Sequence, residues 1–197
     1  MRLVTALMAA VGGFAALVAA PAVMPGAQAD DEALWALMKE PGHIVLLRHS
    51  NAPEQPPDAD KVDVKDCTTQ RNLDDAGRAQ ARRVGEMFRQ HGIKAARLVS
   101  SQYCRAIETA KLTGLGPVQE LPALNMVYIG NLSDMAEAGQ KGRQFMKTIP
   151  TRQFAILVSH VPNLLAISGV NLGSGEMAVV HVDASGNINV DGRIVVH

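Results

Sequence analysis

Two arginines and two histidines carry the chemistry this sequence offers. Arg48 and His49 stand together directly after the apolar run Ile44–Leu47, Arg105 lies just beyond Arg97–Ser101, and His160 closes the run 154–159. A guanidinium or imidazole at the end of an apolar run is costly to bury unless it meets a partner. Guanidinium forks match phosphate oxygens. One imidazole can act as a nucleophile toward phosphorus, and the other can donate to the group in transfer. The combination points to phosphoryl transfer through a phosphohistidine. Arginines beside the histidines would repel a metal ion, so neither a metal nor any other cofactor is expected there. The alternative for each residue is a surface arginine or a core histidine. That alternative weakens because the same pattern occurs three times.

These side chains converge only if the runs before them are neighbouring strands. Ile44–Leu47, Leu98–Val99 and Ala155–Val158 are short and rich in β-branched residues, like strands buried on both faces of a parallel sheet. Helical patterns alternate with them. Leu34, Leu37 and Met38 share one face of a short helix stopped by Pro41-Gly42, and a helix opening near Asp74 or Asp75 runs to His91-Gly92. Arg78, Arg82, Arg83 and Arg89 read as its solvated face. A further helix starts near Cys104, and another spans 162–168 before Gly169. A third strand is expected at 118–121. Between 124 and 150, Met135, Ala138, Phe145 and Met146 suggest a loose helix weakened by Gly139 and Gly142. The chain ends in strands at 177–182, 187–190 and 193–196, with turns at Ser185-Gly186 and Asp191-Gly192. The expected fold is a three-layer α/β/α sandwich with a mostly parallel central sheet and a C-terminal antiparallel hairpin. In such sheets ligands sit beyond the carboxyl ends of the strands. A proline-rich loop after Ser50, running to about Gln70, would overhang that edge.

The 197 residues suffice for one compact core, with 47% hydrophobic and 19% charged residues. Nineteen basic side chains balance nineteen acidic ones, which excludes a general attraction to nucleic acid or acidic lipid. Residues 1–29 read as a signal peptide. Met1-Arg2 precedes an uncharged stretch from Leu3 to Val23, and Ala27-x-Ala29 fits cleavage after Ala29. A retained anchor is the alternative. Cleavage leaves one domain, 30–197, in the periplasm, with no membrane span. Cys67 and Cys104 are the two cysteines. In an exported chain that even count favours a Cys67–Cys104 disulfide, which would pin the long loop beside Arg105. Two buried thiols are the alternative.

Several stretches resemble the histidine phosphatase superfamily, also called the phosphoglycerate mutase-like fold. Arg48-His49-Ser50 is similar to its Arg-His-Gly signature, and 73–81 to its Leu-Thr-x-x-Gly-x-x-Gln-Ala stretch. Residues 101–110 match Ser-x-x-x-Arg-Ala-x-x-Thr-Ala, and Ser159-His160 matches its late Ser/Thr-His. The resemblance implies that His49 is the nucleophile, and that Arg48, Arg105 and His160 bind substrate and stabilise the transition state. It also implies a metal-independent phosphatase of the histidine acid type. Exported relatives with paired cysteines look nearest, including periplasmic phosphatases of lipopolysaccharide core heptose phosphate. The expected substrate is therefore a phosphorylated small molecule or an envelope glycan.

Two departures stand out. Ser50 replaces the signature glycine. Where one branch of the family has a catalytic Glu, this chain has Asn125 or Met126, and where the other has an acid after the second His it has Val161. Glu54, Asp134 and Glu137 are the substitutes within reach of the pattern. The missing acid motivates a second reading, a phosphate- or sugar-phosphate-binding protein without turnover. A third reading is an envelope interaction protein that docks through Pro53–Pro57.

Overall fold

The computed structural model describes residues 31–196; the expected signal peptide and its expected cleavage after Ala29 fall outside them. Helices α1 (Asp31–Leu37), α2 (Asp75–Gln90), α3 (Cys104–Thr113), α4 (Leu132–Met146) and α5 (Val161–Ser168) pack on six strands. The strands are β1 (His43–Arg48), β2 (Arg97–Ser100), β3 (Val118–Glu120), β4 (Ala155–Ser159), β5 (Met177–Val182) and β6 (Ile188–Ile194). They form one sheet in the order β3-β2-β4-β1-β5-β6. The first four are mutually parallel, while β5 is antiparallel to both β1 and β6.

Alternation along the strands explains the three layers. Val45, Leu47, Ile156 and Val158 face α1, α2 and α3 through Trp35, Val84, Phe88 and Ala106. Ile44, Leu46, Ala155 and Leu157 face α4 and α5 through Met146, Leu164 and Ile167. Both faces of β1 and β4 are thus buried, which is why each reads as an unbroken apolar run.

Two expectations are corrected. The loose helix is a regular α4 of fifteen residues. Its glycines permit a close approach: a Cβ on Gly139 would lie 2.6 Å from the Ala166 carbonyl oxygen, and one on Gly142 2.5 Å from Ile167 Cδ1. What weakens the helix locally lets α5 pack against it. At the C-terminus, the turn expected at Asp191-Gly192 is a β-bulge inside one strand. Val179 pairs with Gly192 and Val180 with Val190, so Asp191 is the extra residue.

Candidate active site

The crevice follows from strand order. β4 lies between β1 and β2, so the chain leaves β1 in one direction and returns beside it. In register, Arg48 pairs with Ser159 and Ser100 with Val158. His49, Ser101 and His160 therefore leave the sheet at one edge. Helices α3 and α5 start at that edge, and the positive ends of their dipoles favour an anion there.

The residues of the motif stretches around 50, 73–81 and 109 each have a contact. Asp74 caps α2 by accepting from the Gly77 amide. A Cβ on Gly77 would fall 2.0 Å from the Asn51 carbonyl oxygen, so only glycine lets α2 reach the segment after His49. Gln80 accepts from the Asn51 amide (3.0 Å) and donates to the Ser174 carbonyl (2.8 Å). Thr109 accepts from the Ser50 amide at 3.0 Å. Ser50 adopts no positive φ, so the serine in place of glycine sits without backbone strain.

His49 and His160 are buried, with ring centroids 5.2 Å apart. His49 Nδ1 lies 2.8 Å from the Ser50 carbonyl oxygen, which can only accept. The proton therefore sits on Nδ1 and leaves the Nε2 lone pair available. Burial pushes the His49 pKa down to about 3, with Arg105, Arg48 and Arg71 acting in the same sense and the Ser50 hydrogen bond opposing. His160 is likewise held well below the ordinary imidazole value, first by burial and then by His49 and the arginines. Its Nε2 lies 2.9 Å from Ser101 Oγ, whose other outlet, Asn125 Oδ1, is at 3.3 Å. The single Ser101 hydroxyl proton can go to either acceptor; given to His160 Nε2, it leaves the ring proton on Nδ1.

Arg105 is fully buried, and its fork is taken. Nη1 and Nη2 donate to the two Asp58 oxygens at 3.1 and 3.3 Å. Nη2 also points at Met126 Sδ (3.2 Å), and the guanidinium carbon lies 4.8 Å from the Tyr103 ring centre. Arg48 donates to the Leu172 carbonyl at 3.0 Å. Among the described residues, four buried side-chain atoms have no hydrogen-bond partner: Arg48 Nε, Ser50 Oγ, Arg105 Nε and His160 Nδ1. All four belong to this cluster. Unpaired buried donors are rare and costly, and those of Arg48 and His160 belong to side chains that line one pocket.

A pocket of about 410 Å³ opens over the cluster. Arg48, His49, Arg71 and His160 supply its polar lining, with Met126, Val127, Tyr128 and Ile129 along an apolar side. Three sequence candidates thus line it, whereas Arg105 lies behind the wall. Arg71 and Asp58 were not legible as site residues, because nothing in their local pattern marks them. The long loop brings them in: Cys67 and Cys104 form a disulfide, and Asp58 accepts the Arg71 amide at 2.6 Å. No described carboxylate lines the pocket. Glu54 is exposed. Asp134 pairs with Asn131 at the start of α4, and Glu137 pairs with Lys141. Met126 lines the wall, and Asn125 is bound to Gln102. No helix among the described residues is long and apolar enough to cross a membrane.

The family model of the histidine phosphatase superfamily (branch 1) matches residues 44–155, more than half of the chain. The chain is 35% identical over 74 residues to the mitochondrial serine/threonine-protein phosphatase Pgam5 of Drosophila virilis. That alignment covers 38% of this chain and 22% of the relative, so the chain spans only about a fifth of the curated protein it matches. Three solved structures show the likeness of fold. A mycobacterial glucosyl-3-phosphoglycerate phosphatase with VO3 superposes with TM-score 0.59 at 14% identity, covering 77% of this chain and 98% of that one. The protein histidine phosphatase SixA with tungstate gives 0.57 at 18% identity, covering 77% and 96%. A phosphoserine phosphatase of Entamoeba histolytica with 3-phosphoglyceric acid gives 0.58 at 15% identity, covering 78% and 96%.

Proposed function

The chain belongs to the histidine phosphatase superfamily, and from that premise we propose that it hydrolyses a phosphomonoester through a phosphohistidine at His49. His49 Nε2 attacks phosphorus, and the bond from phosphorus to the ester oxygen breaks with that oxygen taking the electron pair and a proton from solvent water. Water then attacks the phosphohistidine, releasing inorganic phosphate and restoring the neutral imidazole. Arg48, Arg71 and the His160 Nδ1–H hold the phosphoryl oxygens, and Arg105 adds positive charge from behind the wall. The observation that carries this reading is the set of buried, unpartnered nitrogens on Arg48, Arg105 and His160 beside a neutral His49. The arginines supply the positive charge, so no metal is needed at this centre.

The pocket volume suits a small phosphorylated molecule, and Tyr128 and Ile129 offer an apolar shelf for its organic part. Our preferred substrate is a sugar phosphate of the cell envelope, met in the periplasm after export. The support is the signal-like pattern of residues 1–29 and the disulfide, a bond typical of oxidising compartments. One observation favours a second reading: without a carboxylic acid in the pocket, a binding protein of the same fold could hold phosphate and never turn it over. Purified protein assayed with p-nitrophenyl phosphate and with phosphorylated heptose separates the two. Release of inorganic phosphate supports the enzyme; vanadate binding without turnover supports the binder.

A further inference from the structure

At the opposite end of β1 from Arg48, three side chains meet on three adjacent strands. His43 opens β1 and pairs in register with His181 on β5, and the bulge on β6 turns Asp191 toward both. Their ligand atoms all lie within 4.8 Å of one another. His181 Nδ1 is 2.8 and 3.0 Å from the two Asp191 oxygens, and His43 Nε2 is 3.7 Å from Asp191 Oδ2. All three are half-buried.

The hydrogen bonding of His43 shows what is missing from a purely structural account. Its Nδ1 lies 3.2 Å from the Glu40 carbonyl oxygen, an obligate acceptor, so Nδ1 carries the proton. In the neutral ring Nε2 then presents a lone pair to a carboxylate oxygen, at a distance too long for a hydrogen bond. Two acceptors that face each other call for a cation between them, either a second proton on His43 or a metal ion. The carbonyl behind His43 is also the arrangement that orients metal-binding imidazoles elsewhere.

We propose that His43, His181 and Asp191 form a binding site for one divalent transition-metal ion of the zinc class, with water completing the shell. Two imidazoles and one carboxylate are a typical donor set for such an ion. Tetrahedral ligands at about 2.0–2.1 Å from a metal sit about 3.3 Å from one another, close to the two histidine–aspartate spacings already present. His181 already points Nδ1 inward; to ligate, it moves that proton to Nε2. The ion would be structural, tying β6 to β1 across β5. Arg48 is five residues along β1, roughly 16 Å away at strand rise, so the ion is no part of the phosphate chemistry. The expectation of no metal in the arginine-rich crevice stands apart from this second location, and the proposal does not depend on the phosphatase reading.

The test uses the full protein after EDTA dialysis, titrated with Co2+ and followed by its visible absorption, with Zn2+ competition and melting curves alongside. One ion per chain is expected, with tetrahedral Co2+ bands bleached by Zn2+ and a melting midpoint that climbs with free Zn2+. His43→Gln and His181→Gln should each weaken binding tenfold or more with unchanged circular dichroism, while His49→Ala and His91→Ala should bind as the parent does. Failure of the parent to take up the ion overturns the proposal and leaves a plain histidine–aspartate pair. Uptake that survives the double variant His43→Gln/His181→Gln, or that disappears in His49→Ala, also overturns it.

Discussion

Asp58 grips both terminal nitrogens of the buried Arg105, at 3.1 and 3.3 Å, and the same carboxylate accepts the Arg71 amide at 2.6 Å. One loop residue thereby positions two guanidiniums, one behind the pocket wall and one on it. Breaking a buried ion pair by removing one partner typically costs about 3–5 kcal/mol, because the other charge is stranded. Asp58→Ala should lower the melting midpoint and, because the arginines lose their anchor, reduce kcat/KM by about tenfold or more, where each tenfold is 1.4 kcal/mol. Asp58→Asn should fall between. Vanadate inhibition separates the roles: a lower midpoint with unchanged vanadate affinity would make Asp58 a structural tie alone.

The two buried histidines fix the sign of the pH response. His49 has a folded pKa of about 3 against 6.5 for an ordinary imidazole, and His160 is lowered too. Between those values the unfolded chain binds protons that the folded chain does not. Stability therefore falls as pH drops from about 6.5 toward 3, and is fully present above 6.5. In the free protein, neither ring should titrate between pH 5 and 8. Histidine Cε1–H shifts, assigned with His49→Gln and His160→Gln, check this; a midpoint near 6.5 for either ring would show that the burial argument fails.

The disulfide closes a sequence separation of 37 residues, worth about 4 kcal/mol in the chain-entropy account. Gln70, three residues after Cys67, accepts from the Cys104 amide at 2.9 Å and so caps the start of α3, next to Arg105. Reduction should lower the melting midpoint and also weaken turnover, as the loop that carries Asp58 and Arg71 loosens. Paired melting and activity measurements with and without reductant decide it. A change in stability with no change in kcat/KM would leave the bond as a staple only.

In the proposed mechanism arginines take the place of metal at the phosphate site, so turnover should persist after exhaustive EDTA dialysis. Restoration of a lost activity by Mg2+ or Zn2+ would count against the mechanism. An ion at His43, His181 and Asp191 would change the melting midpoint and leave kcat as it was.

What could be read from the sequence follows from locality. β1 and β4 announce themselves because both of their faces are buried, and Arg48, His49 and His160 stand out because they end those runs. Asp58 and Arg71 sit in an irregular loop, and only the Cys67–Cys104 bond and the Arg71 amide contact bring them to Arg105. Gly139 and Gly142 looked like helix breakers because the reason for them, the backbone and side chains of α5, lies more than twenty residues away. The bulge at Asp191 was read as a turn because Asp-Gly is a turn signal; the absence of a Cβ on Gly192 instead makes room for Leu34, whose Cδ1 would lie 2.7 Å from one. Ser50 replaces the signature glycine at no backbone cost, because its φ is not positive.

The central claim is that His49 carries the phosphoryl group, and rapid quenching of the protein with 32P-labelled substrate tests it most directly. The account predicts a labelled protein that is stable in base and labile in acid, with the label on the peptide containing His49. His49→Ala should show neither label nor turnover while keeping its circular dichroism. A base-labile acyl phosphate, or hydrolysis that persists in His49→Ala, would contradict it.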